Sequence, residues 1–389
     1  MDDRPAYYEF FAGGGMARAG LGDGWRCLFA NDFDRKKAES YRANWGGEEL
    51  HVGDVREIST AQLPGRADLV WASFPCQDLS LAGAGAGLKG ERSGTFWPFW
   101  ALMKALRQEG RAPSIIVLEN VCGALTSHGG KDFERICEAL AKERYRFGAL
   151  IIDAALFVPQ SRPRLFIVAI HENALIPSSL TEEYAKMPFH TNSLLAAYER
   201  FPIRLRDRWL WWNLPAPPLR NTTLADVVQE MGTSTSWHSP EQTQALLSRL
   251  GPLHRIRLAE AIKLGKPVTG TAFKRMRKDI QGQSVQRTEI RFDGTAGCLR
   301  TPAGGSSRQI LLSVDARVVR SRLVSAREAA RLMGVDESYI LPSSYTDSLH
   351  LLGDGVAVPV VRYLSSNLLE RLCMKHAQPK RSKRKKLAA

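Results

Sequence analysis

The sequence predicts an α/β protein built on a doubly wound parallel sheet, with a smaller, basic unit inserted late in the chain. Three observations predict it. Over the first hundred and seventy residues, short apolar strands alternate with helical segments. The first strand runs into three consecutive glycines, and an Asn-Asp pair ends the second strand, Asp32 falling nineteen residues after Gly13. The charge is also uneven. Of a net +14, residues 201–320 carry 19 Lys+Arg against 9 Asp+Glu, whereas residues 1–200 net −2. A near-neutral α/β part joined to a basic part suits a protein that holds a small molecule in one half and faces a polyanion with the other.

Tyr7 to Ala12 is the first expected strand, followed directly by Gly13-Gly14-Gly15 and a helix start at Met16. Such a turn brings backbone amides and a helix N-terminus close to a ligand. Arg26 to Ala30 reads as the second strand, and Asp32 stands where nucleotide-binding α/β units hold ribose hydroxyls, so a nucleoside cofactor is expected. Asp32 also suits the N-cap of a helix over Arg35 to Asn44. The apolar run Leu69 to Phe74 reads as a central strand ended by Pro75. Ligands bind at the carboxyl ends of such strands, which makes Cys76, in its Pro-Cys-Gln turn, the candidate nucleophile.

Residues 81–94 form a glycine-rich loop expected to act as a lid over Cys76. A helix from Thr95 to Gln108 and a strand from Ser114 to Leu118 follow, placing Glu119 at the same sheet edge one strand on. After a helix near Asp132 to Lys142, Phe147 to Ile152 and Leu165 to Ile170 read as an antiparallel extension. Arg162 and Arg164, two apart, are expected to point to one side, an arrangement that asks for an anion or acceptor there.

At 389 residues and 44% hydrophobic content the chain has material for two or three domains with a sizeable core. It contains no stretch of 18 uncharged apolar residues, and its N-terminus lacks the pattern of a signal peptide, so a cytoplasmic protein with no membrane partner is expected. The six cysteines show neither a CxxC pair nor zinc-like spacing. Reduced thiols and no metal are expected. Without a coiled-coil signature the chain is expected to be a monomer.

The order of motifs resembles the cytosine-5 DNA methyltransferases. The likeness runs through Phe11-Ala12 and the glycines with Gly20-Leu21, Asn31-Asp32-Phe33, Gly53-Asp54-Val55, Phe74-Pro75-Cys76-Gln77, Glu119-Asn120-Val121, Gln160 to Arg164, Arg322 to Gly334, and Gly353 to Pro359. It implies the Rossmann-like fold of S-adenosylmethionine-dependent methyltransferases, with S-adenosyl-L-methionine as cofactor and double-stranded DNA as partner. It further implies a catalytic domain over residues 1–170, a target-recognition domain over 171–318, a return to the catalytic domain over 319–374, and a basic tail over 375–389. Phe11, Gly13, Gly15, Asp32, Phe33, Asp54, Val55, Pro75, Asp354 and Val356 would face the cofactor. Met16 and Asp354 depart from the family, which has Gly and Asn there. A Cys298-Leu299 pair stands where the family has Thr-Leu.

The chemistry that the resemblance implies is physically coherent. Carbon 5 of cytosine is a poor nucleophile until a thiolate adds to carbon 6, the task of Cys76. Glu119 would hydrogen bond to ring nitrogen 3, and Arg164 with Arg162 would hold the carbonyl at carbon 2 and an adjoining phosphate. The target base must leave the helix stack. Gln77 beside Cys76, Lys89 and Arg92 of the lid, the cluster Lys274, Arg275 and Arg277, and the loop from Arg300 and Thr301 to Arg308 are the expected DNA contacts. Trp209, Trp211 and Trp212 read as core. Such an enzyme works either beside a companion restriction endonuclease, as the protective half of a restriction system, or as a solitary methylase. A transfer-RNA-acting relative would share the motifs but has a short insert, a catalytically silent DNA-binding scaffold has no reason to keep Cys76, Glu119 and Arg164, and a nicotinamide oxidoreductase gives the basic insert no role.

Overall fold

The computed structural model describes residues 2–75, 93–228, 235–302 and 308–374. Cys76, Gln77, Lys89 and Arg92, with nearly all of the expected lid, lie outside the described residues, as do 303–307 and the basic tail. Seven strands form the main sheet: β1 (Ala6–Phe10), β2 (Arg26–Asp32), β3 (Leu50–Val52), β4 (Leu69–Ala72), β5 (Ile115–Val121), β6 (Tyr145–Asp153) and β7 (Pro163–His171). Their order is β3-β2-β1-β4-β5-β7-β6. The first five strands are parallel, and β7 runs antiparallel to both β5 and β6.

Strand alternation sends side chains to two separate cores. Tyr7, Leu69, Trp71, Ile115 and Val117 pack on one face with the C-terminal helices, including Leu351, Val361 and Leu368. Tyr8, Phe10, Val70, Ala72, Ile116 and Leu118 pack on the other with Phe99 and Ile136 from helices Phe96–Gln108 and Lys131–Lys142. Because both faces are covered, β1, β4 and most of β5 are continuous buried runs.

The packing changes two expectations. Residues 178–214, expected in the recognition domain, pack on the catalytic sheet. A short ribbon of β8 (Thr181–Glu182) and β9 (Trp211–Trp212) carries Trp209, Trp211 and Trp212 into the two cores. The Phe147 amide donates to the Arg208 carbonyl and the Phe147 carbonyl accepts from the Leu210 amide, while the Trp212 indole donates to the Val168 carbonyl at 3.2 Å. The second unit is thus the later part of the insert: β10 (Val268–Lys278), β11 (Ser284–Arg291), β12 (Ile310–Asp315) and β13 (Val318–Leu323), in the antiparallel order β11-β10-β12-β13. Ala272, Ile290, Ile310 and Leu312 meet Leu246 and Leu250 in a separate small core.

Within the motif Arg322 to Gly334 the helix starts only at Ala326, because Arg322 belongs to β13 and the Ser325-to-Glu328 capping box sets the first turn. Finally, Asp34 and not Asp32 caps the helix Arg35–Trp45, its carboxylate accepting from the Lys36 and Lys37 amides.

Gly148 of β6 tests the docking of the tryptophan segment. A Cβ there would stand 1.9 Å from the Leu210 carbonyl oxygen and 2.9 Å from the Trp212 ring. Backbone cannot swing aside as a side-chain tip can, so Gly148→Ala is expected to destabilise the protein by about 3 kcal/mol, read as a lower urea midpoint. An unchanged midpoint would place residues 209–212 away from the sheet.

Candidate active site

The glycine turn is held from three directions. Gly13 and Gly15 adopt φ of +56° and +78°, and Phe11 lies at +59°, so the chain leaves β1 through a left-handed bend that glycine tolerates best. Asp32, at the end of the neighbouring β2 and buried, accepts the Gly13 amide at 2.7 Å and the Asp34 amide at 2.8 Å. Burial nonetheless holds its carboxyl above the usual range, with Lys37 pulling the other way. The Trp45 indole and the Tyr339 hydroxyl both donate to the Gly14 carbonyl. The space in front of Gly13 is open, with no atom within 4 Å of where its Cβ would lie.

Around this turn, the expected cofactor residues separate into two groups. Phe33 presents an apolar ring to solvent at 69% exposure, and Asp54 ends β3's loop with its carboxylate capping the Arg56 amide. Asp354 ends the helix Tyr345–Asp354, its carboxylate accepting from Lys37 and Thr301. Val55 and Val356, by contrast, are side chains of the two cores, so any contact they make with a ligand is through backbone.

At the carboxyl edge, β5 delivers Glu119 and Asn120. The Asn120 amide donates to the Phe74 carbonyl at 3.1 Å, tying the chain entering the Pro75 turn to the next strand. Glu119 is 7% exposed. Burial raises its carboxyl above the ordinary range, and Arg164, Arg162 and the Ser73 hydroxyl offset only part of that. Arg164 on β7 pairs in register with Val121, which makes it Glu119's diagonal neighbour, its Nε 3.4 Å from Oε1. A carboxyl group whose burial favours the protonated form, backed by a guanidinium, can donate a hydrogen bond and then stabilise the charge that develops.

Arg162 departs from expectation. It precedes β7, so strand parity does not align it with Arg164. Its buried guanidinium donates to the Leu299, Gly353 and Gly355 carbonyls, each at 2.7 Å, and lies 3.4 Å from the Cys298 sulfur. Those bonds go to backbone of two distant segments and tie them to the residue preceding β7. Gln160 acts beside it, donating to the Leu332 carbonyl and accepting the Leu299 amide.

The expected DNA residues are also redistributed. On β10 Lys274 alternates with Arg275 and Arg277, so they lie on opposite faces, and Arg275 and Arg277 both pair with Glu289 of β11. Arg308 stacks over Tyr345 at 5.5 Å, Arg300 is exposed, and the Thr301 hydroxyl donates to Asp354. Sequence reasoning missed Lys37, Trp45, Tyr339 and Gln160 as members of the site; only Gln160 stood within a motif. Among the described residues no group of three or more His, Cys, Asp and Glu side chains could hold a metal ion, and no helix is long and apolar enough to cross a membrane.

A parallel sheet wound on both faces, with an antiparallel β7 between β5 and β6, is the fold of the S-adenosylmethionine-dependent methyltransferases. Residues 6–370 match the family described as C-5 cytosine-specific DNA methylase, and the chain belongs to that family. It is 25% identical to the type II methyltransferase M.HpaII of Haemophilus parainfluenzae over 96% of this chain and 91% of that protein. It is 24% identical to M.HhaI of Haemophilus parahaemolyticus over 93% of each. The fold is shared with the S. pombe Dnmt2 methyltransferase at a TM-score of 0.60 and 18% identity, covering 95% of this chain and 100% of that one.

Glu9, in the middle of β1 behind the glycine turn, is fully buried, and its Oε2 has no hydrogen-bond partner among the described residues. Burial raises its carboxyl to about 8. A raised folded value means that the unfolded chain ionises first, so wild-type stability falls as pH rises from the ordinary carboxylate range to about 8. Glu9→Gln lacks this titration. Its stability relative to wild type is expected to grow by up to about 1.4 kcal/mol per pH unit across that window, measured by urea unfolding at pH 5 and pH 8. A constant difference would show that Glu9 is ionised throughout.

Proposed function

We propose that the protein transfers a methyl group from S-adenosylmethionine to carbon 5 of a cytosine in a specific duplex DNA sequence, through a covalent bond from Cys76. The observation that carries this reading is the Glu119–Arg164 pair, buried one strand from the Pro75 turn and joined to it by Asn120. The open space before Gly13, the Asp32 clasp and the exposed Phe33 ring suit a donor bearing a nucleoside, with Asp54 and Asp354 at its rim. Bound there, S-adenosylmethionine would supply an electrophilic sulfonium methyl.

The chain's own groups do the rest. The Cys76 thiolate adds to carbon 6 while Glu119, carrying its proton, hydrogen bonds to ring nitrogen 3 and lowers the cost of the charge that builds in the ring. Arg164 stabilises the Glu119 carboxylate as the proton shifts and is available to the carbonyl at carbon 2. After transfer, loss of the carbon 5 proton to a base expels the thiolate. The basic unit over 235–323 is the proposed recognition domain, with Lys274, Arg300 and Arg308 toward phosphates. The type II names of the relatives support a role beside a restriction endonuclease.

Incubation with tritiated S-adenosylmethionine and, separately, duplex DNA and transfer RNA, followed by nucleoside analysis, tests the reading. Labelled 5-methylcytosine from DNA is expected; label confined to RNA would replace the substrate. Cys76→Ser is expected to abolish transfer. Glu119→Gln is expected to slow it by about a hundredfold or more with DNA binding retained. Normal turnover by either variant would remove its group from the chemistry.

A further inference from the structure

Lys37 belongs to no motif, yet it occupies a junction. It lies in the first turn of the helix Arg35–Trp45, its Nζ 2.6 Å from Asp354 Oδ2. Its side chain keeps only 17% of its exposure, whereas that of Asp354 keeps 38%. The other oxygen of Asp354 accepts the Thr301 hydroxyl. Lys37 also acts on Asp32, the carboxylate that clasps the Gly13 amide. One ammonium therefore serves two carboxylates that face the proposed donor pocket from opposite ends of the chain.

The electrostatics show which effect wins. Burial alone would lower Lys37 and raise Asp354. Instead Lys37 lies above its ordinary value, because Asp354 and Asp32 outweigh desolvation, and Asp354 lies below its own, because Lys37 and Thr301 do the same. The contact with Thr301 is close along the backbone as well: a Cβ on Gly353 would stand 2.6 Å from the Thr301 amide nitrogen. Arg162 pins the same two segments from beneath, through Leu299, Gly353 and Gly355. Residues 299–301 and 353–355 thus form one packed unit, with a charge at its rim that must be neutralised. The family's Asn would need no counterion at position 354; a carboxylate does.

We propose that Lys37 is a positioning residue that couples the two substrates: by neutralising Asp354 it holds the donor-side segment 353–356 against the DNA-side segment 299–301, so that donor and DNA bind cooperatively. This rests on the donor and DNA reading given above. Coupling of this kind is reciprocal, since whatever steadies the unit for one ligand steadies it for the other.

Calorimetric titration of the full chain with S-adenosylhomocysteine, the unreactive product of the donor, with and without sheared genomic duplex DNA, tests this. DNA is expected to tighten binding to the wild type by about fivefold or more. Lys37→Met is expected to weaken binding about tenfold and to abolish the effect of DNA, because it leaves Asp354 charged and unpaired. Lys37→Met with Asp354→Asn is expected to return to within about threefold of wild type, since an amide needs no cation. A merely structural lysine would leave the double variant as weak as the single one, and that result, or wild-type affinity in Lys37→Met, overturns the proposal. So does an absence of any DNA effect on the wild type. If Lys37→Met fails to fold by circular dichroism, Lys37→Gln takes its place: about a tenfold loss of affinity and of the DNA effect is expected, and wild-type affinity with the DNA effect intact refutes the charge-balance argument. Failure of the wild type to bind the donor product at all would sink the donor reading, and this inference with it.

Discussion

A guanidinium buried where no water can reach it is tolerable only if its donors are met, and Arg162 is met by main chain. At 2% exposure, it spends four hydrogen bonds on residues 298–299, 353 and 355, segments more than a hundred residues away from it in the chain. Only its Nε is without a partner among the described residues. Burial and the nearby Arg164 both pull its proton affinity down, yet the surrounding carbonyl dipoles keep the charge in place. Removing any one of those acceptors would strand a buried cation. The three segments are therefore held as a set, and everything above them inherits that register.

From this anchor the two halves of the site follow. Beyond it, β7 aligns Arg164 opposite Val121, which brings it diagonal to Glu119. To the other side, Gly353–Gly355 carries Asp354 to the rim shared by Lys37 and Thr301. The glycine turn is fixed independently by Asp32, Trp45 and Tyr339, of which the last comes from the C-terminal part of the chain. The glycine turn, the proposed donor site, and the carboxyl edge are thus built by the same tertiary closure: the C-terminal helices return to the sheet and complete the first strand's turn.

The basic insert divides along its hydrophobicity. Its first part is rich in Phe, Leu and Trp, and it covers the main sheet; its later part makes its own small core and carries the insert's excess of positive charge. Counting charge over the whole insert hid that division. The dense cluster at 274–278 was legible as charge but not as geometry, since strand alternation splits it between two faces and Glu289 answers two of its arginines.

The sequence by itself determined the alternation of strands and helices, the carboxyl-edge location of Glu119 and the family membership that residues 6–370 bear out, because these depend on local periodicity and on motifs a few residues long. The antiparallel pair was legible for the same reason: two short apolar runs joined by a proline-containing loop have few ways to pair. What the tertiary structure alone decided is where long side chains spend their donors. Arg162 and Arg164 are two residues apart and identical in type, yet one is consumed by backbone carbonyls and the other faces a carboxyl group. Lys37 carries no signal at all in one dimension, and it matters only because folding brings Asp354, 317 residues later, to within hydrogen-bond reach. Local patterns specify elements, but a charge acquires its role from partners that only the closed chain can supply.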